Sequence, residues 1–140
     1  MGPEPIPAEL FYLGLSIHLG LATILAYGLV ADLTHGLRYG AGPRDDPPPD
    51  NSPLRGRMGR TVSNFAETFA LFAAGVLGVI VLDRTGTGTA LGAALYFWGR
   101  VAYVPLYAFG VPWLRSVAWF VSILGVILVT MPLLGWSPLD

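Results

Sequence analysis

The chain has 140 residues, of which 54 % are apolar and 12 % are charged, and its mean hydropathy is +0.60. A soluble domain carries about 25 % charged residues, so this composition excludes an ordinary water-soluble enzyme, and it also excludes a disordered chain. The net charge of −1 gives no sign of a nucleic-acid partner. The chain has no cysteine and no lysine, which excludes disulfides, thiolate metal sites, a cysteine nucleophile and Schiff-base chemistry.

Four stretches are long and apolar enough to cross the roughly 30 Å hydrocarbon core of a bilayer as helices. They cover residues 10–31, 62–82, 89–109 and 116–134. We expect the first stretch to be retained rather than cleaved as a signal peptide, because no basic residue precedes it. The second and third connections are short, which makes neighbouring helices antiparallel. The sequence therefore predicts a single all-α domain, an integral membrane four-helix up-down bundle.

Residues 32–61 form the long connection of this predicted bundle, and the proline run at 47–49 is expected to keep part of it extended. Arginines are distributed unequally between the two ends. The end with Arg84 carries the acidic residues Glu4, Glu9 and Asp140. Because loops rich in arginine stay in the cytoplasm, we expect the first and third connections to be cytoplasmic and both termini to lie outside. Those two connections hold Arg38, Arg44, Arg55, Arg57, Arg60 and Arg115.

A polar stripe opens the second span, where Arg60, Asn64 and Glu67 share one helical face and Arg57 extends it by a turn. Ionisable residues inside a span indicate a functional site by default. An arginine can bind a carboxylate through two parallel hydrogen bonds, and a glutamate accepts hydrogen bonds from an ammonium group. An asparagine can both donate and accept hydrogen bonds. Such a row suits a ligand that carries both charges, such as a peptide. The alternative is an internal network that holds the helices or subunits together.

The third span carries a second stripe, formed by Tyr96, Arg100, Tyr103 and Tyr107. Tyrosines near the end of a span are often interfacial anchors. Arg100 lies too deep for that role and needs an anionic partner, so a structural pair with Glu67 is an alternative to ligand binding. Residues with small side chains also recur every fourth position, which favours close helix packing. They are Ala70, Ala74 and Gly78 in the second span, and Gly88 and Gly92 in the third.

Arg115 and Ser116 open the fourth span on the same side as the polar stripe. A positive charge beside a thiol lowers the pKa of that thiol from its usual value of about 8.5. Because the chain has no cysteine, such a thiol would have to belong to a ligand. The alternative is that Arg115 is one more arginine of a cytoplasmic loop. His18, which lies within the first span, is expected to bond a neighbouring group, and no metal site is predicted.

Together these motifs resemble the MAPEG family, the membrane-associated proteins of eicosanoid and glutathione metabolism, and especially its bacterial members. The resemblance covers nearly the whole chain. It rests on Arg60-x-x-x-Asn64-x-x-Glu67, on Gly99-Arg100-x-x-Tyr103-x-x-x-Tyr107 and on Arg115-Ser116-x-x-Trp119. The chain departs from some members, which have a tyrosine in place of Thr68 or a histidine in place of Tyr103. These departures argue against a specialised leukotriene or prostaglandin synthase.

The resemblance implies a homotrimer in the bacterial inner membrane that binds glutathione between subunits near the cytoplasmic ends of the helices. It implies that Arg115, with Ser116, holds the thiolate, and that Glu67 binds the γ-glutamyl ammonium. The remaining glutathione-binding residues implied are Arg38, Arg57, Arg60, Asn64, Arg100, Tyr103 and Tyr107. The implied activity is a glutathione transferase or peroxidase that takes a lipophilic electrophile or hydroperoxide from the membrane lipid. The alternative is a non-catalytic accessory or scaffold subunit of a larger membrane complex.

Overall fold

The computed structural model describes residues 5–46, 51–137 and 139. The proline run at 47–49, Glu4 and Asp140, on which some expectations depend, lie outside these residues. Within the described part every regular element is helical, which confirms the all-α class. The elements are α1 (Ala8–His35), α2 (Leu37–Ala41), α3 (Pro53–Val81), α4 (Thr87–Ala108), α5 (Pro112–Thr130) and a 3-10 helix (Met131–Leu134).

The connection expected over residues 32–61 is largely helical in the structure. α1 continues to His35, α2 follows directly, and α3 begins at Pro53, nine residues before the apolar stretch begins at Val62. Ser52 caps α3 by accepting a hydrogen bond from the backbone N–H of Arg55 at 3.2 Å, and Pro53 fits the first helical position. Hydropathy marks only the part of a helix that can lie in lipid, whereas capping residues mark where the helix starts. Arg55, Arg57 and Arg60 are therefore helical residues.

The helix directions follow from the residues that face each other. Gly20 of α1 lies against Phe65 of α3, and Tyr27, two turns later, lies against the earlier residue Gly59. α1 and α3 are therefore antiparallel. α4 and α5 are antiparallel by the same argument, because successive turns of α4 meet successively earlier turns of α5.

The backbones of α4 and α5 approach each other very closely at glycines. A Cβ atom on Gly125 of α5 would lie 2.5 Å from the carbonyl oxygen of Gly92 and 2.5 Å from the backbone nitrogen of Tyr96. A Cβ atom on Gly99 would lie 2.9 Å from the backbone nitrogen of Ser122. Gly92 thus occupies a helix contact, as its spacing predicts. Ala70 and Ala74 differ, because they lie on the exposed face of α3 in the single chain.

The outer surface of the protein is apolar. Among the described residues, three segments are long and apolar enough to cross a membrane, namely α1, α3 and Pro112–Leu134. On α1, Leu25, Leu29 and Leu33 expose between 60 % and 78 % of their surface, an arrangement suited to lipid rather than to water. α4 falls short of the same criterion because it carries Arg100 together with several glycines, threonines and tyrosines. The protein is an all-helical membrane protein.

The two ends of the structure differ in charge. At one end Arg57 donates to the carbonyl oxygen of Ala108, where α4 ends, and six of the eight arginines lie at this end. At the other end Arg84 donates to the carbonyl oxygen of Pro132 at 2.6 Å. There, the buried carboxylate of Glu9 on α1 accepts a hydrogen bond from the hydroxyl of Thr89 on α4.

We predict that Gly125→Ala lowers the free energy of unfolding by about 1–3 kcal/mol, because the new methyl group would press on backbone atoms that cannot turn aside. Thermal unfolding in detergent measures the change. Gly14→Ala is the matched control, since a Cβ atom on Gly14 of α1 meets nothing within 4 Å. Equal stability of the two variants would contradict the close contact of α4 with α5.

Candidate functional site

The polar stripes of α3 and α4 lie against each other and form a ladder of hydrogen bonds. Each stripe follows the spacing of one helical face, so that two antiparallel helices can align several pairs at once. From the arginine-rich end inward, the four pairs are Arg57 Nε to Ala108 O at 2.9 Å, Arg60 Nε to Tyr107 Oη at 3.1 Å, Arg100 Nη1 to Asn64 Oδ1 at 2.7 Å, and Thr68 Oγ1 with Tyr96 Oη at 3.3 Å. We call these four pairs the polar ladder.

Arg100 is the most deeply placed charge in this ladder and is fully buried. Its guanidinium lies 5.0 Å from the ring centroid of Tyr103, 5.7 Å from that of Tyr96 and 6.0 Å from that of Phe65. These rings offer cation–π attraction. It donates a hydrogen bond to Asn64, and its Nε and Nη2 atoms have no hydrogen-bond partner among the residues that the structure describes. The alternative pairing of Arg100 with Glu67 does not form in the described structure.

A polar cavity of about 270 Å³ opens between α3, α4 and α5 beside the polar ladder. We call it the site cavity. Four of the six residues that line it were predicted from sequence as site residues, and they come from three different helices. The lining consists of Asn64, Tyr103, Arg115, Ser116, Trp119 and Phe120.

The site cavity is rich in hydrogen-bond donors that the described residues leave unused. The amide nitrogen of Asn64, the hydroxyl of Tyr103 and the guanidinium of Arg115 form no hydrogen bond with them. Arg115 is held instead by the ring of Tyr107, whose centroid lies 4.6 Å from the guanidinium carbon. Ser116 donates to the carbonyl oxygen of Pro112 at 3.3 Å. Such a set of donors suits a ligand that presents oxygen acceptors or a negative charge.

Trp119 and Phe120 also line the site cavity, although sequence analysis gave neither of them a role. For Trp119 a signal was present, because it follows Arg115 by four residues and therefore shares its helical face. Phe120 is exposed in the single chain, and nothing in its sequence position distinguishes it from the many other apolar residues of α5.

Six predicted site residues do not line the site cavity. Four of them belong to the polar ladder beside it, namely Arg57, Arg60, Arg100 and Tyr107, whereas Arg38 and Glu67 belong to neither. Glu67 is exposed on α3 and its carboxylate forms no hydrogen bond with the described residues. Arg38 is exposed on α2, which packs against α1 and not against the helices of the cavity. Arg57 donates to Ala108 and so binds the end of α4, where the helix dipole favours a positive charge.

A second groove of about 270 Å³ lies between α1 and α3, lined by apolar residues such as Ile17, Val62 and Phe69. It contains no ionisable side chain. The site cavity, in contrast, brings together four of the residues predicted from sequence, and it is the candidate functional site.

A sequence model of the MAPEG family matches residues 11–134. The chain belongs to the MAPEG family. The match extends from the first turn of α1 to the end of the 3-10 helix, and MAPEG proteins are often glutathione-dependent transferases or peroxidases. No curated protein and no solved structure gives a significant match to the chain.

We predict that Arg57→Ala lowers the free energy of unfolding of this MAPEG protein by about 1–3 kcal/mol, because the carbonyl oxygen of Ala108 loses a charged donor. Arg38→Ala is the matched control, as Arg38 is an exposed arginine at the same end. Its removal should leave stability within about 0.5 kcal/mol. Chemical unfolding in detergent compares the two variants. If Arg57→Ala has the same free energy of unfolding as the parent, the contact with Ala108 does not stabilise the fold.

Proposed function

We propose that the protein is a bacterial inner-membrane enzyme, a glutathione transferase or peroxidase that acts on lipophilic electrophiles or hydroperoxides. The observation that supports it most directly is the site cavity, in which Arg115, Ser116, Tyr103 and Asn64 meet from three helices. A bundle held only by internal bonds has no need of an open cavity lined by unused donors. Family membership agrees with this function.

Glutathione fits the chemistry of these residues. Its thiolate would lie beside Arg115 and Ser116, and its γ-glutamyl ammonium beside the carboxylate of Glu67. The carboxylates and amide oxygens of the peptide would take the donors that remain. In this proposal the donors are Arg38, Arg57, Arg60, Asn64, Tyr103 and Tyr107, and Arg100 belongs to the site through its hydrogen bond to Asn64.

Catalysis requires no covalent bond to the protein. In the transferase reaction the thiol releases its proton, and the sulfur then forms a bond with the electrophilic carbon as the leaving group departs. In the peroxidase reaction two glutathione molecules reduce one hydroperoxide to an alcohol and water and become a disulfide. Arg115 contributes by favouring the thiolate, and the cavity contributes by holding two reactants together.

Three features of the single chain's surface support an oligomeric active form in this proposal. Glu67 is the only charged residue of the apolar stretch 62–82 and is exposed there, and a carboxylate facing lipid is costly. Ala70 and Ala74 on the same exposed side allow another helix to approach. The site cavity is itself open along Ser116. A homotrimer with glutathione between subunits would cover these surfaces and would let Arg38 of a neighbouring subunit reach the ligand.

We further propose that all four long helices cross the membrane. α4 would do so shielded by its neighbours, because α3 and α5 face its polar residues. The arginine-rich end would then be cytoplasmic, as loops with many arginines are. Both termini would lie outside, and glutathione would enter the site cavity from the cytoplasm while the second substrate arrives from the lipid.

We predict a mass of three protomers for the protein in mild detergent. Native mass spectrometry or light scattering corrected for detergent measures it. A monomer in several mild detergents would contradict a site shared between subunits. Stoichiometric co-purification with a larger complex, in place of a trimer alone, would favour the accessory-subunit alternative.

We predict that binding lowers the thiol pKa of glutathione below its free value of about 8.5, and that Arg115→Ala raises this bound value again. The ultraviolet absorbance of the thiolate reports the titration. Each pKa unit corresponds to about 1.4 kcal/mol of thiolate stabilisation. Below the free pKa, at neutral pH, the variant should also conjugate a general electrophile more slowly, because less of the bound thiol is ionised.

Arg115→Lys is the control for this experiment, since it keeps the charge and loses the planar fork. Partial recovery of the lowered thiol pKa would indicate simple electrostatics, and no recovery would indicate geometry. Isothermal titration with glutathione should show that both variants still bind the peptide. If the parent protein binds glutathione without lowering its thiol pKa, the transferase proposal fails.

A further inference from the structure

The amide of Asn64 has a defined orientation in the structure. A guanidinium can only donate hydrogen bonds, so the Asn64 atom that lies 2.7 Å from Arg100 Nη1 is necessarily the oxygen, Oδ1. The amide nitrogen Nδ2 is then the atom left for the site cavity, which Asn64 lines. It forms no hydrogen bond with the described residues.

Arg100 is well suited to enforce this orientation. It is fully buried, it does not line the site cavity, and three aromatic rings hold it in place. A ligand in the site cavity of one chain would therefore touch Asn64 and not Arg100. Without Arg100 the Asn64 side chain would turn freely about its last torsion, which has a broad, roughly two-fold preference. Its oxygen would then face the ligand part of the time.

We propose that Arg100 is a positioning residue that acts through Asn64. By holding Oδ1, it presents the two N–H groups of Asn64 to the site cavity and makes this point of the site selective for an oxygen acceptor, a carbonyl or carboxylate of the bound thiol peptide. This inference rests on the proposed function and replaces direct contact between Arg100 and the ligand.

Asn64→Asp separates the two hydrogen-bonding functions of Asn64, accepting from Arg100 and donating into the site cavity. One carboxylate oxygen still accepts from Arg100, whereas the other replaces the donor that faces the site cavity. The variant should be at least as stable as the parent, because the buried guanidinium gains a counterion. Its affinity for glutathione should fall by about 10-fold or more, since a donor to a polar oxygen becomes a repelling acceptor. A purely structural role for Asn64 predicts unchanged affinity.

Arg100→Met tests whether Arg100 acts through Asn64. Methionine fills similar space, and replacing a buried charge with an apolar side chain is often neutral for stability. Glutathione affinity should fall by about 2-fold or more, because the amide gains a second orientation. In an Asn64→Leu background the same change should cause no further loss. Arg100→Lys, which keeps a donor to Oδ1, should recover part of the affinity.

Two controls distinguish positioning from general damage. At saturating glutathione, Arg100→Met should leave the bound thiol pKa where the parent has it, because Arg115 is intact. Thr61→Val removes a buried hydroxyl on α3 that donates only to the backbone oxygen of Arg57, and it should bind glutathione as the parent does.

The measurements are isothermal titration of the full-length protein in detergent with glutathione, and thermal unfolding of each variant. Parent-like affinity of Asn64→Asp would overturn the inference, as would an equal loss from Arg100→Met with and without Asn64. Failure of the parent to bind glutathione would instead overturn the proposed function and, with it, this role of Arg100. The parent titration therefore tells the two failures apart.

Discussion

The contact between the backbones of α4 and α5 determines where the residues that these two helices contribute to the site cavity lie. Gly92, Gly99 and Gly125 remove the side chains that would hold the two helices apart. Tyr103 on α4 and Arg115 on α5 consequently face a common space. α3 then closes that space through the polar ladder. Helix packing and the chemistry of the site therefore depend on the same three glycines.

The polar ladder resolves an apparent conflict between the membrane and the charges within it. Within the described part of the chain, Arg100 has one hydrogen bond and three aromatic neighbours in place of a carboxylate. Weak attractions from several rings suffice because α3 and α4 together keep the guanidinium out of lipid. Glu67, the acidic residue that could have neutralised it, remains at the surface. The single chain thus buries the guanidinium of Arg100 and leaves the carboxylate of Glu67 accessible to another molecule.

Much of this arrangement could be predicted from the sequence, because helical periodicity is a local property. The spacing of Arg60 and Asn64 was sufficient to place them on the face of α3 that meets α4, and apolar runs were sufficient to find the long helices, whereas Glu67 of the same predicted stripe lies exposed and apart from the site cavity. Periodicity does not say which residues on two facing helices stand level with each other. In the antiparallel packing Arg100 is level with Asn64, and Glu67 lies nearly a turn further along α3. Matching opposite charges therefore suggested a pair that the geometry does not form.

The start of α3 shows a second limit of the sequence. The signals were present, since Ser52 and Pro53 are typical of the first turn of a helix. They lie outside the apolar stretch, however, and a prediction from hydropathy alone takes no account of capping residues. The site residues that were missed have a similar cause. Trp119 shares a helical face with Arg115, a signal that was not used, whereas Phe120 is one of many apolar residues on α5 and only the position of the cavity distinguishes it.

The polar character of α4 has a consequence for how the chain enters the bilayer. A helix with an arginine near its centre is a poor substrate for insertion by itself, since that side chain adds about 2.5–3.5 kcal/mol to the transfer. α3 and α5 are both apolar enough to insert independently, and they flank α4 in the chain. If α4 crosses the membrane, it does so as the middle helix of three, α3, α4 and α5, that insert together. Membrane insertion would then be cooperative. The side-chain contacts that shape the site cavity would also stabilise α4 in the lipid.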